Sequence, residues 1–347
     1  MNLLNQVLNI SPLDSTISDE EYKLTGDILD EVGLPRPNKD GIKRVLDDFF
    51  LTQYIVSYDN KIVFLRLSPH EFIFEHDKKL TSIKYLPIIS PLIGEGKVLD
   101  KFYYSVTWMN PCFPMSVAKQ ETIGAATHYF AGLSLLAKDQ YPSDQLKPQE
   151  EVYQDIFNLY QFTESLPAPL MGKLTKMHRE ISPEFLKEIS ETSFAFFKKH
   201  LLDKHPTGTG ALCFGPLRAS DVVLEDVVPL PHVVTAPYLM KGNPKIEAAC
   251  FPYYLGINRE KFYRAYASNE KEYRELDYLS KYAWIVDFYL TLIGECILSS
   301  MEVGFHNENS LLGAAKYQKY RGWINHFEEF NKWGVKLDSI FLEKLIK

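Results

Sequence analysis

The sequence predicts an α+β protein of two lobes, a small N-terminal lobe built on an antiparallel sheet and a larger, mainly helical C-terminal lobe. Three observations carry this reading. Aromatic and β-branched runs at 52–58, 61–67 and 102–108 have the composition of strands, and the turn pair Asp59-Asn60 separates the first two as a hairpin. From Glu121 onward, helical spacing of apolar residues dominates. The texture changes at Trp108 to Pro114, where Asn110-Pro111 stops the last strand. The expected division is therefore 1–107 for the N-terminal helices and small lobe, and 108–347 for the helical lobe, with a hinge at 107–111. A chain of 347 residues with 46% apolar and 24% charged side chains is long enough, and ordinary enough in composition, to bury two such cores.

The elements follow in order. Leu3, Leu4, Val7 and Leu8 share one face and predict a helix over 3–10. Ser18, followed by Asp19, Glu20 and Glu21 and then by Leu24, Ile28 and Leu29, predicts a second helix with an acidic first turn. Two prolines in 33–40 break the pattern before the hairpin. A helix is expected over 71–83, then the strand over 102–108. Helices are expected over 122–137, 150–162, 183–202 and 271–303. The most apolar stretch, 283–298, is interrupted by Asp287 and Glu295 and falls short of the roughly 20 apolar residues of a membrane span, so it reads as a buried helix.

Composition also excludes. With a net charge of −7 and scattered basic residues, the chain lacks the electrostatic footprint of a nucleic-acid or anionic-membrane binder. Cys112, Cys213, Cys250 and Cys296 form no C-x-x-C pair and are expected to be core residues of a reducing, cytoplasmic compartment. Residues 1–18 have neither a basic n-region nor a continuous apolar core, so no targeting peptide is expected there. Gly208-Thr-Gly210 lacks the lysine and hydroxyl residue of a P-loop, His70 and His76 lack the i, i+4 spacing of a helical zinc pair, and Cys213 has no basic activator nearby.

The stretch that carries chemistry runs Ala211-Leu-Cys-Phe-Gly-Pro-Leu-Arg-Ala-Ser-Asp221, then Val233-Val-Thr-Ala-Pro and Gly242-Asn-Pro-Lys-Ile-Glu-Ala-Ala249. It resembles the catalytic centre of the aminoglycoside phosphotransferase and choline kinase superfamily, whose fold is kinase-like. There, His-Gly-Asp-Leu-His-x-x-Asn leads into one strand, and a second strand carries Ile-Asp ahead of Gly-Asp-Pro-x-x-Asp-Leu-Ala. The resemblance puts Phe214 in place of the motif's histidine, keeps Gly215, and puts Pro216 on the catalytic aspartate and Asp221 on the metal-binding asparagine. Thr235 falls on the second metal-binding aspartate, while Gly242-Asn243-Pro244 and Glu247 keep the shape of the last segment. Further matches follow in order along the chain: Arg66 ends a strand where the family has its phosphate-pairing basic residue, 107–111 matches the hinge, and a helix ends at Gly132-Leu-Ser-Leu-Leu136.

The resemblance implies a degenerate member, a pseudokinase. Phosphoryl transfer needs cations on the phosphates and a carboxylate to orient the attacking hydroxyl. Proline supplies no carboxylate, and threonine is a neutral, weak metal ligand. Arg66 and Glu75 are the candidate nucleotide contacts, Arg66 pairing either with a nucleotide phosphate or with Glu71 or Glu75, and Asp221 is the candidate metal ligand, or alternatively the cap of the turn into Val222. Phe214 is expected in the core. The expected function is a binding, regulatory or scaffold protein with protein partners, a nucleotide or small molecule being the further ligand to test; no cofactor is required, ATP with Mg²⁺ being the one to consider. The competing expectation is an active, atypical ATP-dependent small-molecule kinase whose catalytic carboxylate has moved to Asp221 or Asp226.

Overall fold

The computed structural model describes residues 17–335 and 337, except 48–50, 60, 83–90, 111, 116–117, 143, 162–182, 207–209, 220, 226 and 301–322. The helix expected over 3–10 and the candidate carboxylate Asp226 lie outside the described residues. The chain forms two compact units, one of residues 1–133 with 217–237 and one of 134–216 with 238–347.

The first unit is an α+β structure around an antiparallel sheet. Its strands are β1 (Ile42–Asp47), β2 (Thr52–Tyr58), β3 (Lys61–Ser68), β4 (Leu92–Val98) and β5 (Phe102–Met109), in the spatial order β1-β2-β3-β5-β4. The hairpin expected from Asp59-Asn60 is present, with Tyr58 opposite Lys61 and Thr52 opposite Leu67. The β4–β5 hairpin turns on Leu99 and Asp100, whose φ values of 53° and 54° give the mirror-turn geometry that matches strand twist. Leu99 holds this conformation without the short polar side chain that normally tolerates it.

Both faces of this sheet are covered, which is why β3 reads as an almost unbroken apolar run rather than an alternation. On one face, Tyr54, Val56, Val63, Leu65, Tyr104 and Val106 meet Ile28 and Leu29 of helix α1 (Asp19–Glu31). Sequence chemistry starts α1 where expected: Ser18 Oγ accepts from Glu21 N at 3.1 Å, and Glu21 Oε2 accepts from Ser18 N at 2.8 Å, a reciprocal capping box. On the other face, Ile55, Ile62, Phe64 and Met109 join Cys112, Val223 and Val234. Cys112 and Val223 come from a three-stranded sheet of β6 (Cys112–Pro114), β8 (Val222–Glu225) and β9 (Pro231–Val233), in the order β6-β8-β9, and Val234 directly follows β9. The strand β7 (Ala211–Cys213) belongs to the second unit. Because β6 pairs with β8 and both feed the core beneath β2 and β3, the 107/108 division falls inside the first unit.

The helix expected over 71–83 is broken. A 3-10 turn at Glu71–Ile73 precedes the six-residue helix α2 (Asp77–Ser82), because Ile73 and Phe74 turn inward against Leu51 instead of continuing a helical face.

The second unit is mainly helical. Its elements are the end of α3 (Gln120–Lys138), then α4 (Gln149–Phe157), α5 (Pro183–Phe197), α6 (Pro244–Leu255), α7 (Arg259–Tyr266), α8 (Glu270–Ser300) and a helical segment α9 over 323–331. The helix expected over 183–202 is present but finishes in a π-helical turn, Lys198–Leu202. Residues 283–293 of α8 are buried apart from Leu290 and Thr291, as the apolar stretch predicts. Tyr289 anchors α8, its hydroxyl donating to the Phe157 carbonyl at 2.6 Å. The unit's small sheet pairs β7 with β10 (Met240–Gly242). Cys213 and Cys250 here, and Cys112 in the first unit, are buried free thiols. Among the described residues, no helix is long and apolar enough to cross a membrane.

Candidate functional site

The residues singled out from the sequence divide between the units: Arg66, Asp221 and Thr235 lie in the first, and Phe214, Gly215 and Pro216 in the second.

In the first unit, Arg66 projects from β3 into the polar layer of an otherwise apolar face. It is fully buried, and its neighbours across the ladder are Gln53 on one side and Ser105 on the other. Its partner is neither Glu71 nor Glu75, both of which are exposed, but Asp77 at the first turn of α2. The 3-10 break moves Asp77 inward and leaves the two glutamates outside. Arg66 Nη2 donates to Asp77 Oδ2 at 2.7 Å and to Ser105 Oγ at 2.8 Å, and Nη1 donates to the Val234 carbonyl at 2.5 Å. Ser105 Oγ donates in turn to Asp77 Oδ2 at 2.6 Å. The guanidinium also lies 5.4 Å from the Phe74 ring centre.

Thr235, at the position of the family's second metal carboxylate, is buried in the same network. Its Oγ1 lies 2.9 Å from Asp77 Oδ1 and 2.8 Å from the Ile73 carbonyl, and its one proton serves one of them at a time. Burial pushes the Asp77 carboxyl above its ordinary value; the Arg66 charge and the hydroxyls of Ser105 and Thr235 act in the opposite direction. The result is a buried ion pair with its carboxylate ringed by donors.

Asp221 is fully buried at the entry to β8, and both of its oxygens are engaged. Oδ2 accepts from Arg218 N at 2.7 Å and from Arg218 Nε at 3.2 Å, and Oδ1 accepts from Arg218 Nη2 at 2.9 Å. The turn-capping role is therefore the one it performs here, as an aspartate two to three residues from a backbone donor readily does. Its own carbonyl accepts from Val234 N at 2.9 Å, which brings the Asp221 and Thr235 segments side by side at the end of the β8–β9 ladder.

In the second unit, Phe214 is buried as expected, and Pro216 is buried as well, outside any helix. Gly215 has φ 70°, and a Cβ there would sit 2.7 Å from the Tyr238 carbonyl oxygen, so the turn requires glycine. The loop is held by Glu247 on α6, whose Oε1 accepts from the backbone N–H groups of Phe214 and Gly215, the latter at 3.0 Å. Complete burial pushes the Glu247 carboxyl up to about 8, against the opposing effect of the Gly215 and Phe214 N–H groups and the Cys213 thiol.

Asp77, Ser105 and Arg218 were missed from the sequence. Ser105 had a signal: it is the small polar residue in an aromatic strand, and the register places it opposite Arg66. Asp77 had none, because its role depends on where α2 begins. Among the described residues, no group of three or more His, Cys, Asp or Glu side chains could hold a metal ion.

This architecture, an antiparallel five-stranded sheet with a helical unit and the loop order just described, is the kinase-like fold of small-molecule phosphotransferases. More particularly, the chain is similar to a thermostable mutant of the aminoglycoside phosphotransferase APH(4)-Ia in ternary complex with AMP-PNP and hygromycin B (TM-score 0.54, 10% identity, 92% of this chain and 100% of that one covered). It is likewise similar to the choline kinase LicA from Streptococcus pneumoniae (TM-score 0.53, 12% identity, 90% of this chain and 100% of that one). No protein-family model matches the chain, and no curated protein matches it in sequence.

Proposed function

We propose that this phosphotransferase-like chain is a pseudoenzyme, a binding, regulatory or scaffold protein for protein partners in a reducing, cytoplasmic setting. The observation that carries the reading is the buried network of Arg66, Asp77, Ser105 and Thr235. The basic residue at the phosphate-pairing position has no exposed surface, and the side chain at the metal position is a threonine hydrogen-bonded to Asp77. A nucleotide such as the AMP-PNP held by APH(4)-Ia would need a cation at its phosphates and carboxylates on Mg²⁺. Here the cation already neutralises a carboxylate, and Pro216 offers no base. Asp221, the relocated carboxylate of the active-kinase alternative, is occupied by Arg218. Loss of an aligned base alone typically costs about 10² to 10⁴ in rate.

The test is a thermal-shift titration of the full chain with ATP, ADP and GTP, with and without Mg²⁺, alongside transfer assays to aminoglycosides, choline and protein. No Mg²⁺-dependent shift and no transfer are expected, whereas a native-state ligand at 100 times its Kd would add about 2.7 kcal/mol of stability. Nucleotide turnover that disappears in Asp221→Asn would sink the proposal in favour of an active atypical kinase. Thr235→Asp, which sets a second carboxylate beside Asp77, is expected to weaken the Asp77 network.

A further inference from the structure

The second unit carries a cluster of titratable groups unrelated to the motif positions. The C-terminal segment α9 buries Trp323, Phe327 and Phe330, which recur at i, i+4 and i+7 along one face. They form an aromatic seam: Phe288 lies 5.5 Å from Trp323 and 5.7 Å from Phe327, Trp284 lies 5.9 Å from Phe330, and Phe196 of α5 lies 5.4 Å from Phe330. Two histidines are built into this seam. His326, on α9, stacks on Trp284 of α8 at 5.7 Å with 16° between the rings. His200, in the π-helical turn after α5, stacks on Tyr282 of α8 at 4.3 Å and 5°, and also meets Phe196 at 4.8 Å and Trp333 at 5.7 Å. The His200 Nδ1 is buried with no hydrogen-bond partner, so a proton added there has no acceptor.

We propose that His200 and His326 form an acid-sensitive latch that holds residues 323–335 on α5 and α8 while both imidazoles are neutral and releases them when the imidazoles are protonated.

The charges facing each ring favour this. Around His200 stand Lys199 on its own turn and Lys204 just beyond it, opposed by Glu329 from α9; Tyr282, which faces it from α8, is a phenol bonded to Tyr278. Around His326 stand Arg259 from α7 and Lys281 from α8, while Glu328 and Glu329 on its own segment are exposed. Burial, then these cations, lowers both imidazoles below the ordinary 6.5, His326 to about 4. The sign follows: a group whose folded value is depressed and whose neutral form fits the fold stabilises it above the free value, and that stability is lost as pH falls from 6.5 toward 4. His326 alone then raises the released population by about 50-fold between pH 7 and pH 4.5. Release uncovers the Phe196, Trp284 and Phe288 face of the seam.

Hydrogen exchange on the full chain, corrected for the intrinsic pH dependence of exchange, tests this. Exchange in 323–331 should rise by tens of fold from pH 7 to pH 4.5 while β2, β3 and β5 keep their protection, and a His200→Phe/His326→Phe variant should hold the segment at pH 4.5. Three results would overturn the latch: equal protection of the segment at both pH values, loss of protection in the sheet together with the segment, or an unchanged pH profile in the double variant. Should the double variant fail to fold, His200→Gln and His326→Gln must each reduce the pH response several-fold, and unchanged profiles in both count against the proposal.

Discussion

Asp77 in the first unit and Glu247 in the second are both buried carboxyl groups that hold a loop in place, and they do so by opposite electrostatics. Asp77 has a guanidinium at 2.7 Å and two hydroxyls around it. Glu247 has only two backbone N–H groups and a thiol, with no cation among the groups that act on it. A buried charge with a matching charge can stay ionised, whereas one with dipoles alone gives way to its neutral form near physiological pH. The Glu247 loop is thus sensitive to pH across the neutral range, whereas at Asp77 the Arg66 charge and two hydroxyls work against the upward push of burial.

The largest effect should come from breaking the ionic member. Arg66→Met leaves the Asp77 charge unpaired and is expected to cost about 3 to 5 kcal/mol in denaturant unfolding. Arg66→Met combined with Asp77→Leu should recover most of that loss, since the isolated charge is what is expensive.

Next comes Glu247. Glu247→Ala strips the Phe214 and Gly215 N–H groups of their acceptor and should cost roughly 2 to 6 kcal/mol, at about 1 to 3 kcal/mol for each buried donor left unmade. Glu247→Gln should cost much less at neutral pH, because its carbonyl can still accept. It should also remove a pH dependence. Since the folded value of about 8 lies above the ordinary 4.5, the contribution is full below pH 4.5 and is lost as pH rises through 8. Unfolding midpoints of the parent chain should therefore decline across that window relative to Glu247→Gln; parallel profiles would end the comparison.

The smallest effect is Thr235→Val, which removes one hydroxyl from a carboxylate that keeps Arg66 and Ser105. About 1 kcal/mol is expected, measured by the shift in denaturation midpoint.

Much of the first unit was legible because its signals are local. Ser18 to Glu21 spells a capping box, the hairpin has its turn pair, and the composition of 102–108 suits a strand. Strands β1 and β4 were not foreseen: Ile42–Asp47 carries three charged residues, and Leu92–Val98 carries two glycines, a glutamate and a lysine, as edge strands with one side open often do. In the candidate site, Gly215 and the buried Phe214 followed from residue type. The Arg66 partner did not, because choosing among Glu71, Glu75 and Asp77 depends on where a 3-10 turn hands over to a helix, and that is decided by the inward turn of Ile73 and Phe74. Nor could charge pattern reveal that Arg218 bonds Asp221 from three residues away, since a surface pair at that spacing reads identically.

The first unit takes residues 217–237 from far down the chain, and this sets a timetable for synthesis. Arg66 and the Val234 carbonyl it bonds are 168 residues apart. At about 5 to 20 residues per second, roughly 8 to 34 s separate their emergence from the ribosome. From the emergence of Met109, which completes β5, to that of Val234, roughly 6 to 25 s at the same rate, all five strands have been made but Val223 and Val234 beneath the sheet and Thr235 beside Asp77 have yet to arrive. A nascent chain stalled before residue 235 should therefore present an apolar face to chaperones that the completed chain does not.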